Sequence, residues 1–312
     1  MRYVQYARGM DAFLVAAGLA LLVAGGEGLV RGGVALATRL GLSKAFIGTV
    51  LLGFGTSMPE FVATFLGAAR GADGIAFGNV LGSNVANILM ILGVSALIFP
   101  IALPRDGLRR DAVFVGLSTL GIMAWIALDG LPRWGGLALV AAFAAYMWLA
   151  VRGSGGEDAG AAPGGSPLLS IAIALGGIAA LVAGAEFLIR GGSGLARGWG
   201  VSEAVIGILI VGVGTSLPEA VTSVIASLRR ENALAFANIV GSNVFNGLAI
   251  LGGTALVFPL DLAGAFTPAD GAVLLAATVA MFALALSRGR VSRVEGALFL
   301  LGYAAYVVWR LI

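Results

Sequence analysis

Glu60 and Glu219 are two acids of the same local design. Glu60 closes GFGTSMPE, which starts at Gly53, and Glu219 closes GVGTSLPE, which starts at Gly212, each inside an apolar run long enough to cross a bilayer. A carboxylate in mid-membrane costs about 2.5–3.5 kcal/mol even on the lenient insertion scale, so both are read as functional. Each follows a proline. Pro59 has no N–H for the Gly55 carbonyl and Pro218 none for that of Gly214, and the ring pushes that carbonyl aside. Thr56, Ser57, Thr215 and Ser216 place hydroxyls three and four residues before the glutamates, on one helix face where the helix runs through the break. Carboxylates, hydroxyls and freed carbonyls are the ligands of hard cations.

Behind each glutamate comes a second polar sequence, GNVLGSNVANILMILG from Gly78 and ANIVGSNVFNGLAILG from Ala237. Asn79, Ser83 and Asn87 recur every four residues and share one helix face, as do Asn238, Ser242 and Asn246. One such residue commonly serves helix packing. Two matched stripes beside two matched proline breaks point instead to a polar cavity; Asn84 and Asn243 lie off the stripes and are read as structural. Calcium takes six to eight oxygens at about 2.3–2.6 Å. Two glutamates, the freed carbonyls and one or two waters supply them, and two carboxylates neutralise a divalent ion, or more than one sodium.

The elements that must position these groups are membrane spans. Of 312 residues 59% are hydrophobic and 11% charged, which excludes an ordinary soluble protein. Ten apolar runs are legible, at 11–37, 43–69, 75–99, 111–128, 134–151, 168–196, 202–228, 234–258, 270–287 and 293–311. The first has the look of a signal peptide. However, AGGEGLVRGGVALATRLG from Ala24 reappears as AGAEFLIRGGSGLARGWG from Ala183, so this helix is half of a matched pair and is expected to be retained. The offset of 159 holds without a gap to Pro100 and Pro259. Five spans per half is odd, so the second half enters from the opposite side. The expected fold is an all-α polytopic membrane protein of ten transmembrane helices in two inverted five-helix repeats, residues 1–151 and 168–312, joined by a flexible cytoplasmic linker, 152–167. Lys and Arg are richer on the side of Arg39, Lys44, Arg152, Arg229 and Arg230, which points to a cell (inner) membrane with both termini extracytoplasmic.

The arginines sit almost wholly at the ends of apolar runs, where topology explains them and nucleic-acid binding does not. With no cysteine and no histidine there is no thiolate nucleophile, no usual zinc ligand and no HExxH motif, so an intramembrane hydrolase is disfavoured and no organic cofactor is expected. Glu27 with Arg31, and Glu186 with Arg190, are spaced as helical ion pairs. They either neutralise themselves near an interface or stabilise one position of the helices that carry them. Asp111 and Asp270 open their spans as N-terminal helix charges, and Trp134, Trp199 and Trp309 suit interfacial anchoring.

The paired GTSxPE and GSNxxN sequences on inverted halves resemble the cation/calcium exchanger superfamily, most closely its prokaryotic sodium/calcium antiporters, over nearly the whole chain. The resemblance implies Glu60 and Glu219 as shared calcium and sodium carboxylates, with the main-chain oxygens of Thr56 and Thr215 in calcium's shell. It implies Ser57, Ser83, Ser216 and Ser242, with the carbonyls of Gly53 and Gly212, along flanking sodium positions, and Asn87 and Asn246 at the middle. It further implies that the first and sixth spans slide over a core of eight. Several sodium exchangers carry aspartate where this chain has Asn246, which leaves the site at about −2 and its stoichiometry open. The reading is antiport of Ca2+ against Na+; H+/Ca2+ exchange and a cation channel are the alternatives. The proton-coupled branch typically carries Asn-Ala where this chain has Thr-Ser, yet protons compete for any buried carboxylate.

Overall fold

The computed structural model describes residues 2–103, 107–154, 166–201 and 212–311. Their helices are α1 (Arg2–Leu40), α2 (Lys44–Thr56), α3 (Met58–Ala69), α4 (Asp73–Ile98), α5 (Leu108–Ala127) and α6 (Arg133–Arg152), then α7 (Pro167–Gly198), α8 (Gly212–Gly214), α9 (Leu217–Leu228), α10 (Asn232–Val257), α11 (Pro268–Arg288) and α12 (Arg293–Leu311). Among the described residues seven are long and apolar enough to cross a membrane: α1, α4, α5, α6, α7, α10 and α11. The pair α2 and α3, bent by 45° at its break, counts as an eighth. α9 is apolar but short, and residues 202–211 of the expected seventh span lie outside the described residues. Most of the expected linker lies outside them too; its first residue, Arg152, still ends α6 and its last, Pro167, already opens α7 behind the Ser166 cap.

Composition gave no warning of four short strands. Ile101–Ala102 (β1) pairs antiparallel with Arg290–Val291 (β4), and Gly130–Leu131 (β2) with Leu260–Asp261 (β3). Each ribbon satisfies loop backbone groups by joining a loop of one half to a loop of the other.

The helix interiors pack as two apolar clusters. The larger spans α4, α5, α10 and α11, with Phe77, Ile88, Ile122, Val240 and Met281 fully buried. The smaller joins α1 and α7 to α2 and α10 through Leu29, Leu52, Leu181 and Leu234. α1 and α7 run antiparallel in backbone contact, with Gly18 against Gly184, Gly25 against Leu181 and Gly32 against Ala174. Small residues permit that approach, the usual device of membrane helices. A Cβ on Gly177 would stand 2.5 Å from the Leu29 nitrogen and 2.7 Å from the Gly25 oxygen, both backbone atoms that cannot give way. Gly177→Ala is therefore expected to lower stability by about 1–3 kcal/mol. Unfolding of the purified protein in detergent reads this, and unchanged stability would show that the two helices separate freely.

Candidate ion-binding site

The two glutamates sit where helices break. Ser57 leaves the helical region between α2 and α3 at φ −81°, ψ 8°, and Ser216 does the same before α9 at φ −86°, ψ 7°. Across the first break the Ser57 N–H reaches the Gly53 carbonyl at 3.2 Å and the Phe61 N–H reaches the Ser57 carbonyl at 3.0 Å. The Gly55 carbonyl can take no hydrogen bond from the nitrogen of Pro59, which carries no hydrogen. Each proline occupies the first turn of the helix that follows, where its missing N–H costs nothing.

Glycine brings the two motifs together across the halves. A Cβ on Gly53 would stand 2.9 Å from the Gly241 carbonyl carbon, so the GTS segment of α2 lies directly on the GSN segment of α10. Both GSN helices then widen into π turns, Ala86–Ile91 and Phe245–Ile250, where Leu92 N–H bonds the Asn87 carbonyl and Leu251 N–H that of Asn246. Such turns are rare and concentrate at functional sites. The π turn holding Asn246 packs on α3, which carries Glu60, and the one holding Asn87 packs on α9, which carries Glu219.

The resulting polar cluster is crossed between halves. Ser57 Oγ donates to Glu219 Oε1 at 2.9 Å, and Ser216 Oγ to Glu60 Oε1 at 3.0 Å. Ser83 Oγ lies 3.5 Å from Glu60 Oε1 and 3.3 Å from Ser216 Oγ; Ser242 Oγ lies 3.4 Å from Glu219 Oε1 and 3.4 Å from the Gly53 carbonyl. Both glutamates are wholly buried. Among the described residues each keeps a second oxygen, Oε2, with no protein partner, and the side chains of Asn87 and Asn246 are buried with neither amide atom partnered. Among the described residues no three acids or histidines gather, so the cluster's oxygens come mostly from neutral groups.

Of the expected site residues, Glu60, Ser83 and Ser216 form one hydrogen-bonded group, and Glu219, Ser57, Ser242 and the Gly53 carbonyl form a second. Thr56 joins it differently: its hydroxyl turns back on the Leu52 carbonyl at 2.9 Å and lies 3.3 Å from Asn238 Oδ1 and 3.4 Å from Ser242 Oγ. Thr215 is buried with its hydroxyl unpartnered among the described residues, and Gly212 opens α8 at their edge.

Asn79 and Asn238 brace the glutamate helices. Asn79 Nδ2 bonds the Glu60 carbonyl at 3.1 Å and Thr64 Oγ1 at 2.9 Å; Asn238 Nδ2 bonds the Glu219 carbonyl at 3.4 Å and Ser223 Oγ at 3.0 Å. Thr64 and Ser223 were not singled out in the sequence, although each stands four residues after its glutamate. Asn84 stays off the site and donates to the Asn243 carbonyl at 3.4 Å.

Charges elsewhere divide by end. Asp270 stands in the first turn of α11 as the expected N-terminal charge and also closes a capping box with the N-cap Thr267, accepting from the Thr267 N–H at 2.8 Å. Asp111 also stands in a first helical turn, but is held by Arg110 at 2.8 Å and by the Tyr146 hydroxyl at 3.1 Å. Glu186 pairs with Arg190, and Glu27 pairs with Arg31 at 2.5 Å but also with Arg229 of the other half. Two cavities flank the cluster, one of about 280 Å3 beside Ser57 walled by Phe54, Phe61, Phe143 and Phe245, the other of about 420 Å3 between α7 and Val213–Leu217. Their walls are apolar, so the place for a cation is the oxygen cluster itself.

Buried acids among hydroxyls and broken backbone, packed among helices of membrane-spanning length, are the equipment of a cation transporter. The family model described as sodium/calcium exchanger protein matches residues 10–152 and 169–312, and the chain belongs to that family of multi-pass membrane antiporters. It is 30% identical to the inner membrane protein YrbG of Escherichia coli K12, over 87% of each chain. It is 27% identical to the sodium/calcium exchanger MaX1 of Methanosarcina acetivorans, over 93% of this chain and 95% of the other. Its structure resembles that of the sodium-calcium exchanger NCX_Mj soaked with Na+ and Sr2+, with a TM-score of 0.86 and 28% identity over 96% of this chain and 98% of the other.

The Asn238 brace is open to direct test. Asn238→Ala removes bonds to the Glu219 carbonyl, to Ser223 and to Thr56, and is expected to cost about 1–3 kcal/mol of stability, more than Asn79→Ala at its partly exposed position. Unfolding in detergent checks the order of the two; equal and negligible losses would show that the bonds do not hold the helices.

Proposed function

We propose that this protein is a secondary antiporter that exchanges Ca2+ for Na+ by alternating access at the Glu60–Glu219 cluster. One observation carries the reading: two wholly buried carboxylates, each bonded by a serine of the opposite half, each keep one oxygen unpartnered. Loaded with one divalent ion or with two monovalent ions, the pair is neutral, so the loaded cluster crosses hydrocarbon without net charge. Glu60 and Glu219 supply the charge; Ser57, Ser216, Ser83 and Ser242, with the carbonyls of Gly53, Gly212, Thr56 and Thr215, supply neutral oxygens. The amides of Asn87 and Asn246 supply the rest. Because both ions need the same carboxylates, one leaves as the other binds, which is the physical basis of exchange.

The proposed architecture is ten spans in two inverted halves, 1–151 and 168–312, around the linker 152–167. Contacts repeated at the 159-residue offset support it, among them the Thr119–Thr278 hydroxyl pair at 3.1 Å. So do the two blocks matched by the family model, which leave a gap at the linker. The Lys and Arg bias supports an inner membrane with both termini outside. The printed name of MaX1 and the ions soaked into NCX_Mj support sodium as the counter-ion.

Calcium uptake into vesicles holding the purified protein tests this. An outward Na+ gradient is expected to drive uptake and a proton gradient alone is not; the converse transfers the protein to H+/Ca2+ exchange, and uptake without coupling makes it a channel. Glu60→Gln and Glu219→Gln are each expected to abolish calcium uptake while the protein stays folded. Uptake retained in both variants would overturn the site.

A further inference from the structure

The two halves match in sequence but differ in contact, and the differences fall on opposite ends of the molecule. At one end Arg229, at the close of α9, reaches α1 and bonds Glu27, its Nε standing 2.8 Å from Oε2. The residues 159 positions away are Arg70, at the close of α3, and Glu186, on α7. There the bond is unmade: Arg70 is exposed and, among the described residues, has no ion pair, and Glu186 pairs only with Arg190 on its own helix.

Packing repeats the difference. On α1, Leu29, Val30, Gly33, Leu36 and Ala37 are buried. Their counterparts on α7, Leu188, Ile189, Gly192 and Leu195, are only half-buried and, with the buried Ala196, line the 420 Å3 cavity beside Val213, Gly214 and Leu217. The hydroxyls agree: Thr56 lies 3.3 Å from Asn238 Oδ1 and 3.4 Å from Ser242 Oγ, whereas its counterpart Thr215 has no partner among the described residues. Among the described residues these three features mark the Arg229 end as closed around α1 and the Arg70 end as more open around α7.

We propose that Glu27–Arg229 and Glu186–Arg70 are alternating latches: the first holds the present state shut at its end, and the second forms when the α1–α7 pair moves and shuts the other. Glu27, Arg229, Glu186 and Arg70 then position the helix pair for transport without touching the ion. The inference rests on the alternating-access reading. An inverted repeat exchanges the conformations of its halves, so a contact made by one half now is made by the other half after the move. Glu27 and Arg229 are partly exposed and Glu186 and Arg70 exposed, which suits contacts that must break in every cycle.

The chain has no cysteine, so single cysteines report access to each end. Leu36→Cys marks the closed end and Leu195→Cys the open one, each read by its rate of modification with a membrane-impermeant maleimide in detergent. In the parent background L195C is expected to react faster than L36C. Arg229→Gln should raise the L36C rate and lower that of L195C by about two- to fivefold, the shift a partly exposed ion pair supports. Arg70→Gln should do the reverse, although Arg70 has no partner to lose in the present state. Glu27→Gln and Glu186→Gln should copy the arginine variants, and replace either one that does not fold. Unchanged rates for Arg70→Gln and Glu186→Gln, with the parent asymmetry intact, would overturn the latches while leaving alternating access standing. Equal, rapid reaction at both positions in the parent would instead overturn alternating access itself.

Discussion

Everything in this fold answers to the burial of two carboxylates in a medium that has no water to solvate them. An ionised acid in that place needs partners on its oxygens, and each glutamate takes its shortest hydrogen bond from a serine of the other half. Neither half therefore completes a site alone. The first half supplies Glu60 and the hydroxyl that Glu219 needs; the second supplies Glu219 and the hydroxyl that Glu60 needs. Duplication gives this reciprocity at once, because a motif that carries both a carboxylate and a hydroxyl donor satisfies its own copy when two copies meet face to face.

The backbone follows the same constraint. A membrane helix cannot expose carbonyls to lipid, and irregular backbone at membrane depth is tolerated only where protein or a polar cavity covers it. Here the two proline breaks and the π turns of α4 and α10 all fall within the packed centre. Gly53 lies against Gly241, and the amides of Asn79 and Asn238 bind the carbonyls of Glu60 and Glu219. The two irregularities support one another: the break loosens the helix that carries the acid, and the neighbouring asparagine holds that helix in register.

Legibility in the sequence followed how local the cause was. The proline breaks, the N-terminal helix charge of Asp270 and the glutamate pair were legible because each depends on a residue type within one turn of chain. The serines that gather at Glu60 and Glu219 were legible through duplication, since a repeated stripe is hard to explain by packing alone. Roles set by the neighbour across the interface were hidden. Asn79 and Asn87 lie on one stripe and look equivalent, but the first bonds backbone and the second is left unpartnered after a π turn that no propensity scale foresees. The link from Glu27 to Arg229 was hidden for the same reason: Arg31, four residues on, is a sufficient partner in sequence, and only the packing of α9 against α1 adds the other arginine.

A duplicated chain whose halves were identical would have no reason to prefer either of two mirrored arrangements, so the preference must come from positions where the repeat fails. Lys44 is one. It pairs at 2.7 Å with Glu231, joining α2 to the loop before α10 at the same end as Arg229. The equivalent positions hold Glu203 and Ala72, and alanine offers no charge to pair with. The Lys44–Glu231 contact, at the same end as Arg229, thus has no counterpart in chemistry at the other end. A partly exposed pair is worth at most about 1 kcal/mol, which biases a two-state equilibrium severalfold without locking it. On the proposed cycle that is the useful size: large enough to set the resting state, and small enough for an ion's differential affinity to reverse it.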